Sequence, residues 1–273
     1  MTYMTILFSK ILSPFFLILK FLKKINRNRK RFRNQLFEKK YINTLMNDLK
    51  DETVAQNISS FCSNKNYFSE LCDKYGTDKG YLNLDKKTPY GWKPHSYSFF
   101  YANLFDHCRN DIKSVFECGI GSNYLDVKSN MSSTGKPGAS LRVWRDYFGK
   151  ANIFGGDIDS RILFEEDRIR TFKVDQTNAS SIQKMWSEIN IDNFDIIVDD
   201  GLHTHDAAIT LFLNSFNKLR KDGIYIIEDV HFIYLNELKN SLINYNPEIV
   251  ILKNDYVNNH LIKDNNLIII RKT

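Results

Sequence analysis

Five short apolar runs, SVFECGI, NIFGGDI, RTFKVDQ, FDIIVDD and GIYIIED, constrain this chain more than any other feature. Each ends in an acid, a glycine or a polar pair. Between them lie LRVWRDYF, SIQKMWSEIN and AAITLFLNSFNKLR, whose apolar residues recur at helical spacing. Strand–helix alternation of this kind predicts a parallel sheet covered by helices on both faces. After a further helix over 236–242, the runs EIVILK and NLIIIRK close the chain. Their short separation predicts an antiparallel hairpin at a sheet edge. The expected class is therefore α/β and Rossmann-like, mostly parallel, with a helical N-terminal extension.

In such a sheet, ligands bind outside the carboxyl ends of the strands. The unusual residues fall at that edge: ECGIGSN (117–123), GGDID (155–159), DQTN (175–178), DDGLH (199–203) and ED (228–229). A dinucleotide site would want G-x-G-x-x-G flowing directly into a helix. Here the third glycine is missing, and a long loop through MSSTGKPGAS precedes the next helix. A shorter nucleoside cofactor fits better.

Upstream, 41–105 reads as mostly helical around the loop KYGTDKGYLNLDKKTPYGWKPHSYSFF, rich in turn formers and aromatics. His95, Tyr97 and Tyr101 in that stretch either line a pocket or pack as a helix face, and packing is the simpler reading. Three segments follow: 1–40 as a basic amphipathic extension, 41–110 as a helical cap with a lid loop, and 111–273 as the α/β domain.

Charge is unevenly spread. Residues 1–40 hold eleven Lys/Arg against the single acid Glu38, whereas everything after them is mildly acidic. A nucleic-acid surface is therefore not implied. The uninterrupted apolar run from Phe15 to Leu19 is far short of the ~18–20 residues that cross a bilayer. Ser9, Lys10, Ser13, Lys20 and Lys24 cluster opposite Ile11, Phe15, Ile18 and Leu22 on a helix, and eight Lys/Arg lie between Lys20 and Arg33. Residues 1–35 thus read as a membrane-surface anchor on the cytoplasmic face, with a partner-docking helix as the competing reading. Charges that follow the apolar segment argue against a signal peptide. The cysteines Cys62, Cys72, Cys108 and Cys118 form no CxxC pair, and Cys118 reads as a reduced core thiol in a cytoplasmic protein.

Taken together, GTDKG (76–80), VFECGIG, GASLRVWRDYF, IFGGDID, RIRTFKVDQTN, FDIIVDDGLH and GIYIIEDV resemble a class I S-adenosylmethionine (SAM)-dependent methyltransferase. More narrowly, the order and spacing are similar to the metal-dependent macrocin- and mycinamicin-type sugar O-methyltransferases. The resemblance covers well over half the chain and ends at Val230. It accounts for neither the N-terminal segment nor the loop from Tyr124 to Pro137.

The resemblance implies a cofactor site of Glu117, Gly119, Gly121, Ser140, Asp157, Asp175 and Gln176. Glycine permits close backbone approach to the methionine end, and Asp157 would accept the ribose hydroxyls. Asp175 and Gln176 would read the adenine edge, while Ser140 caps the next helix. Asp200, Glu228 and Asp229 resemble the family's Mg²⁺ ligands, an oxygen set suited to a hard cation. His203 matches the family's general base, and its ordinary pKa suits that work. Asp199 would support the turn, and Asp206 the start of the following helix. His205 carries no role over.

The implied activity is Mg²⁺-assisted O-methylation of a sugar hydroxyl, and the basic N-terminus points to a surface-glycan or lipid-linked acceptor. The alternatives are a metal-independent small-molecule methyltransferase and a membrane-tethered binding protein on a degenerate fold. A homo-oligomer stays open.

Overall fold

A computed structural model describes residues 65–80, 90, 92, 94–127, 129–252 and 263–273, together with the backbone of 53–56. The expected anchor at 1–40 and Cys62 lie outside these residues. The described part belongs to one compact unit, Glu52–Thr273.

All five apolar runs are strands: β2 (Ser114–Cys118), β3 (Asn152–Asp157), β5 (Ile169–Lys173), β6 (Phe194–Asp199) and β7 (Leu219–Ile227). Two short strands were not expected, β1 (Thr53–Gln56) and β4 (Glu165–Glu166), and β8 (Glu248–Leu252) and β9 (Asn266–Arg271) complete the sheet. The strand order is β1-β8-β9-β7-β6-β2-β3-β5-β4. Strands β5, β3, β2, β6 and β7 run parallel, and β9 is antiparallel to both β7 and β8. The β8–β9 hairpin exists, but it is not the sheet's edge. Its second strand wedges between β7 and β8, and β1 pairs in parallel outside β8. Thr53–Gln56 departs from the helical reading of 41–105. Four residues cannot close a stable helix alone, but they can pair with an open strand edge.

The helices are α1 (Tyr67–Tyr75), α2 (Tyr97–Phe105), α3 (Ala139–Tyr147), α4 (Ala179–Ile189), α5 (His205–Ser215) and α6 (Leu235–Ser241). The pleat sends alternate β2 residues to opposite faces. Val115 joins Trp144 of α3 in one apolar cluster, while Phe116 packs on Trp186 of α4 with ring centroids 4.7 Å apart. Phe68 of α1 and Tyr101 of α2 meet Trp144 edge-on, each at 5.0 Å. The segment expected as a separate cap therefore helps build the core of the same unit. Among the described residues no helix is long and apolar enough to cross a membrane. Cys118 is buried and unpaired.

Candidate active site

The loops at the carboxyl ends of β2, β3, β5, β6 and β7 surround a cavity of about 760 Å³, ordinary for a small-molecule site. Gly119, Gly121, Ser140, Asp157, Asp175 and Gln176 line it, and so do Asp200, His203 and Asp229. Glu117 and Glu228 do not.

The glycine turn follows directly from its backbone. Gly119 and Gly121 have φ of +88° and +80°, and a Cβ on Gly119 would run into the Asp200 carbonyl and come within 2.7 Å of Gly201 Cα. The turn after β2 thus packs against the turn after β6, backbone to backbone. Asp157 fastens it from β3: its Oδ2 accepts from Ile120 N–H and its Oδ1 from Asp159 N–H, each at 3.0 Å. Burial raises the Asp157 pKa against those amides. Two lone pairs on each oxygen leave it capacity for a ligand diol. Ile158 follows it, an exposed apolar side chain in the cavity wall. Sequence reading passed over it, although its position directly after the acid is a usable signal.

Glu117 is fully buried on the face of β2 beneath α3. It accepts from Ser140 Oγ at 2.6 Å and from Trp144 Nε1, with Lys79 Nζ at 3.6 Å. Its carboxylate organises the wall rather than facing the cavity. Ser140 is the second residue of α3 and does not cap it; Gly138, at φ 70°, holds that position. On the opposite side, Gln176 Nε2 donates to Asp199 Oδ1 at 2.6 Å, and its Oε1 accepts from Leu202 N–H at 2.9 Å. Gln176 therefore fixes the turn of β6. Burial pushes Asp199 up to about 6, partly offset by His203 and by the hydrogen bonds of Gly201 and Gln176.

The acids divide unexpectedly. Single ligand atoms of Asp200, His203 and Asp229 all lie within 4.8 Å of one another. His203 and Asp229 both hold left-handed backbone, with φ of 56° and 51°, which is uncommon outside glycine. Glu228, expected beside them, points inward instead. It accepts from Tyr101 Oη and from Lys79 Nζ, and burial raises its pKa while Lys79 opposes the rise. Both acids lie just past the end of β7, and the left-handed backbone of Asp229 turns the chain between them. Lys79 also donates to Asp200 Oδ2 at 2.7 Å. A lysine 2% exposed among three carboxylates is tolerable only because it is paired. Sequence reading gave Lys79 no role.

Tyr97 and Tyr101 do pack as a buried helix face, yet their hydroxyls reach the acids. Tyr97 Oη donates to Asp229 Oδ1 at 2.7 Å. His95 stacks on Tyr97, with Nδ1 3.3 Å from Asp229 and Nε2 3.5 Å from Asp264. Burial alone would lower the His95 pKa; Asp229, Asp264 and Asp78 outweigh it and hold it up at about 10. His205 belongs elsewhere. Its Nδ1 lies 2.9 Å from Asp206 and its Nε2 2.9 Å from Ser241, which ties the start of α5 to the end of α6. Asp206 lies in the first turn of α5, as expected.

A glycine turn after β2, an acid at the tip of β3 and a mostly parallel sheet with an antiparallel strand beside β7 define a Rossmann-like α/β fold. No protein-family profile matches the chain. It is similar to the mycinamicin VI 2''-O-methyltransferase of Micromonospora griseorubida, 32% identical over 173 residues (63% of this chain, 38% of the relative). It is also similar to the demethylmacrocin O-methyltransferase of Streptomyces fradiae, 31% over 163 residues (60% and 39%). The 8-demethyl-8-alpha-L-rhamnosyl tetracenomycin-C 2'-O-methyltransferase of Streptomyces olivaceus is 31% identical over 143 residues (52% and 35%). A solved MycE methyltransferase of the mycinamycin pathway, in complex with Mg and SAH, aligns at 31% identity with a TM-score of 0.48, over 64% of this chain and 40% of that one. The chain is thus similar in sequence to these O-methyltransferases and spans a little over a third of their length.

Proposed function

We propose that the chain is a SAM-dependent, Mg²⁺-assisted O-methyltransferase acting on a sugar hydroxyl. One observation carries this reading: a single cavity joins the glycine turn and Asp157 to the Asp200–His203–Asp229 cluster. The two carboxylates suit a hard divalent ion that keeps places for water and substrate oxygens, and the imidazole stands beside them as a base.

When bound, SAM supplies the methyl group and the ion acidifies the acceptor hydroxyl. The rest falls to the chain. The Asp157 carboxylate would accept the ribose hydroxyls, the glycines of the 119–121 turn allow the amino-acid end close backbone approach, and Ile158 offers an apolar face to the base. Asp200 and Asp229 would hold the ion, with Lys79 and Glu228 behind Asp200 and the Tyr97 hydroxyl behind Asp229. His203 would take the hydroxyl proton on its imidazole and so leave the acceptor oxygen as the nucleophile for the methyl group. Methyl ether and S-adenosylhomocysteine (SAH) result.

The acceptor we favour is a surface glycan or lipid-linked precursor, because the sequence of 1–35 combines a short apolar face with a basic run. This would hold the enzyme at the cytoplasmic face of the membrane. Calorimetry with SAH should show binding, and methyl transfer should stop in EDTA and return with Mg²⁺. Transfer undiminished in EDTA would replace the metal-assisted reading with a metal-independent one, which the ion pair of Lys79 with Asp200 favours. Absence of SAH binding would favour a binding protein on a degenerate fold. Mass spectrometry of surface glycans with and without the protein tests the acceptor, the expected difference being the mass of one methylene.

A further inference from the structure

The strand order lays the cavity out in sequence. Asp157, Ile158, Asp175 and Gln176 stand at the β3 and β5 end, and Asp200 and His203 stand at β6. Beyond them, toward β7 and β9, the wall is made by Asp229, Asp264, His95, Asp78 and Trp92. The chemistry proposed above uses the first end, the middle and, from the far end, Asp229. It gives Trp92 nothing to do.

Trp92 differs from the other two tryptophans of the chain. It is 42% exposed, whereas Trp144 and Trp186 are 0% and 3% exposed. Its indole is nevertheless held. Nε1–H donates to Asp78 Oδ2 at 2.7 Å, and its ring lies 5.4 Å from that of the buried Tyr90 at an interplanar angle of 30°. Asp78 is tied back in turn, its carbonyl accepting from His95 N–H at 2.7 Å. The polar edge of the indole is therefore satisfied and one side is backed. What remains toward the cavity is an apolar π surface in a fixed orientation. Scattered exposed aromatics are ordinary, but this one is pinned in the wall of the active cavity.

Its surroundings select the occupant. Asp264 also lines the cavity and lies 3.5 Å from His95 Nε2. A purely apolar ligand would strip water from these carboxylates without replacing it. A sugar ring satisfies both demands: its C–H face packs on the negative π surface, and the hydroxyls around its rim donate to carboxylates. We propose that Trp92 is the platform on which the acceptor's sugar ring stacks, with Asp264 accepting a ring hydroxyl and Asp78 aiming the indole. The inference rests on the methyltransferase reading, since that reading makes this end of the cavity the acceptor's side.

With two of three tryptophans buried, the accessible indole fluorescence of the full chain reports on Trp92. Methyl α-L-rhamnopyranoside and methyl α-D-glucopyranoside serve as probes, with SAH and Mg²⁺ present and choline as a cationic control. At least one glycoside should shift the emission and shield it from acrylamide, and Trp92→Phe should abolish that signal. By calorimetry, Trp92→Ala should weaken glycoside binding at least tenfold while leaving SAH affinity within twofold. Trp92→Phe should recover part of the loss, because it restores a ring. Glycoside affinity unchanged in Trp92→Ala would overturn the platform, and so would a response to choline but to neither glycoside. Loss of SAH binding in the wild-type protein, with glycoside quenching intact, would sink the methyltransferase reading and uphold the platform.

Discussion

Gly119 and His203 show how little freedom the site leaves to single residues. Gly119→Ala combines a strained left-handed backbone with a side chain aimed at the Asp200 carbonyl, a neighbour that cannot swing away. The expected cost is roughly 2–4 kcal/mol, seen as a lower urea midpoint together with loss of SAH binding by calorimetry. Gly121 is more forgiving, since a Cβ there meets the flexible thioether of Met131. His203 tests the chemistry instead. Its φ of 56° is one that asparagine tolerates, so His203→Asn keeps the turn and removes the base. Turnover should fall about 10²–10⁴-fold with SAH affinity unchanged; normal turnover would show that the proton leaves by another route. The cavity-lining glycines, Asp157, Asp200 and His203 were legible in the sequence because each follows an apolar run. Lys79 and the inward turn of Glu228 were not. Nothing local marks a lysine as buried when its three carboxylate partners lie on distant strands. Which of two adjacent acids faces a cavity depends on the backbone turn just past β7, where Asp229 takes a left-handed conformation that the sequence does not announce.

At the scale of elements, the junction of α1 with α3 depends on one carboxylate. Asp146 accepts from Tyr75, from Lys74 at 2.9 Å and from Arg145 at 2.9 Å. Partial burial works to raise its pKa, but these donors outweigh burial and hold it at about 2, below its ordinary 3.8. A depressed carboxylate stabilises the fold above its unfolded pKa. Its contribution disappears as pH falls from about 4 through about 2. Screening at this partly exposed position limits the effect to about 1 kcal/mol. Asp146→Asn should therefore be less stable than wild type near neutral pH and lose less on acidification, as urea titrations at each pH would show. Parallel curves for the two proteins would remove Asp146 from the account. Strands β2, β3 and β6 and the second half of β7 were readable because both their faces are buried and each is an apolar run, whereas β5 alternates buried and exposed residues. The placements of β1 and β9 were not readable. A four-residue strand has no period to detect, and a hairpin's sequence does not say which of its strands meets the sheet.

For the whole molecule, the segregation of charge is the feature that the fold alone does not explain. Eleven basic residues in the first forty stand against a mildly acidic remainder that carries the cavity. Were the extension to serve solubility alone, its apolar residues Ile11, Phe15, Ile18 and Leu22 would be a liability. Under the proposed membrane reading, an anionic surface would give both halves a partner, the apolar residues at the interface and the basic run at the headgroups. Each basic residue near such a surface contributes about 1 kcal/mol. Replacing Lys20, Lys23, Lys24 and Arg27 by Gln should thus weaken vesicle binding by up to about 4 kcal/mol, roughly a thousandfold. The full chain should co-sediment with vesicles containing phosphatidylglycerol and not with pure phosphatidylcholine, and salt should release it as screening shortens the reach of these charges. SAH binding in the four-residue variant should match wild type, because the cavity lies in the compact unit that begins at Glu52. Equal binding of variant and wild type, or binding indifferent to lipid charge, would instead assign the extension to a protein partner.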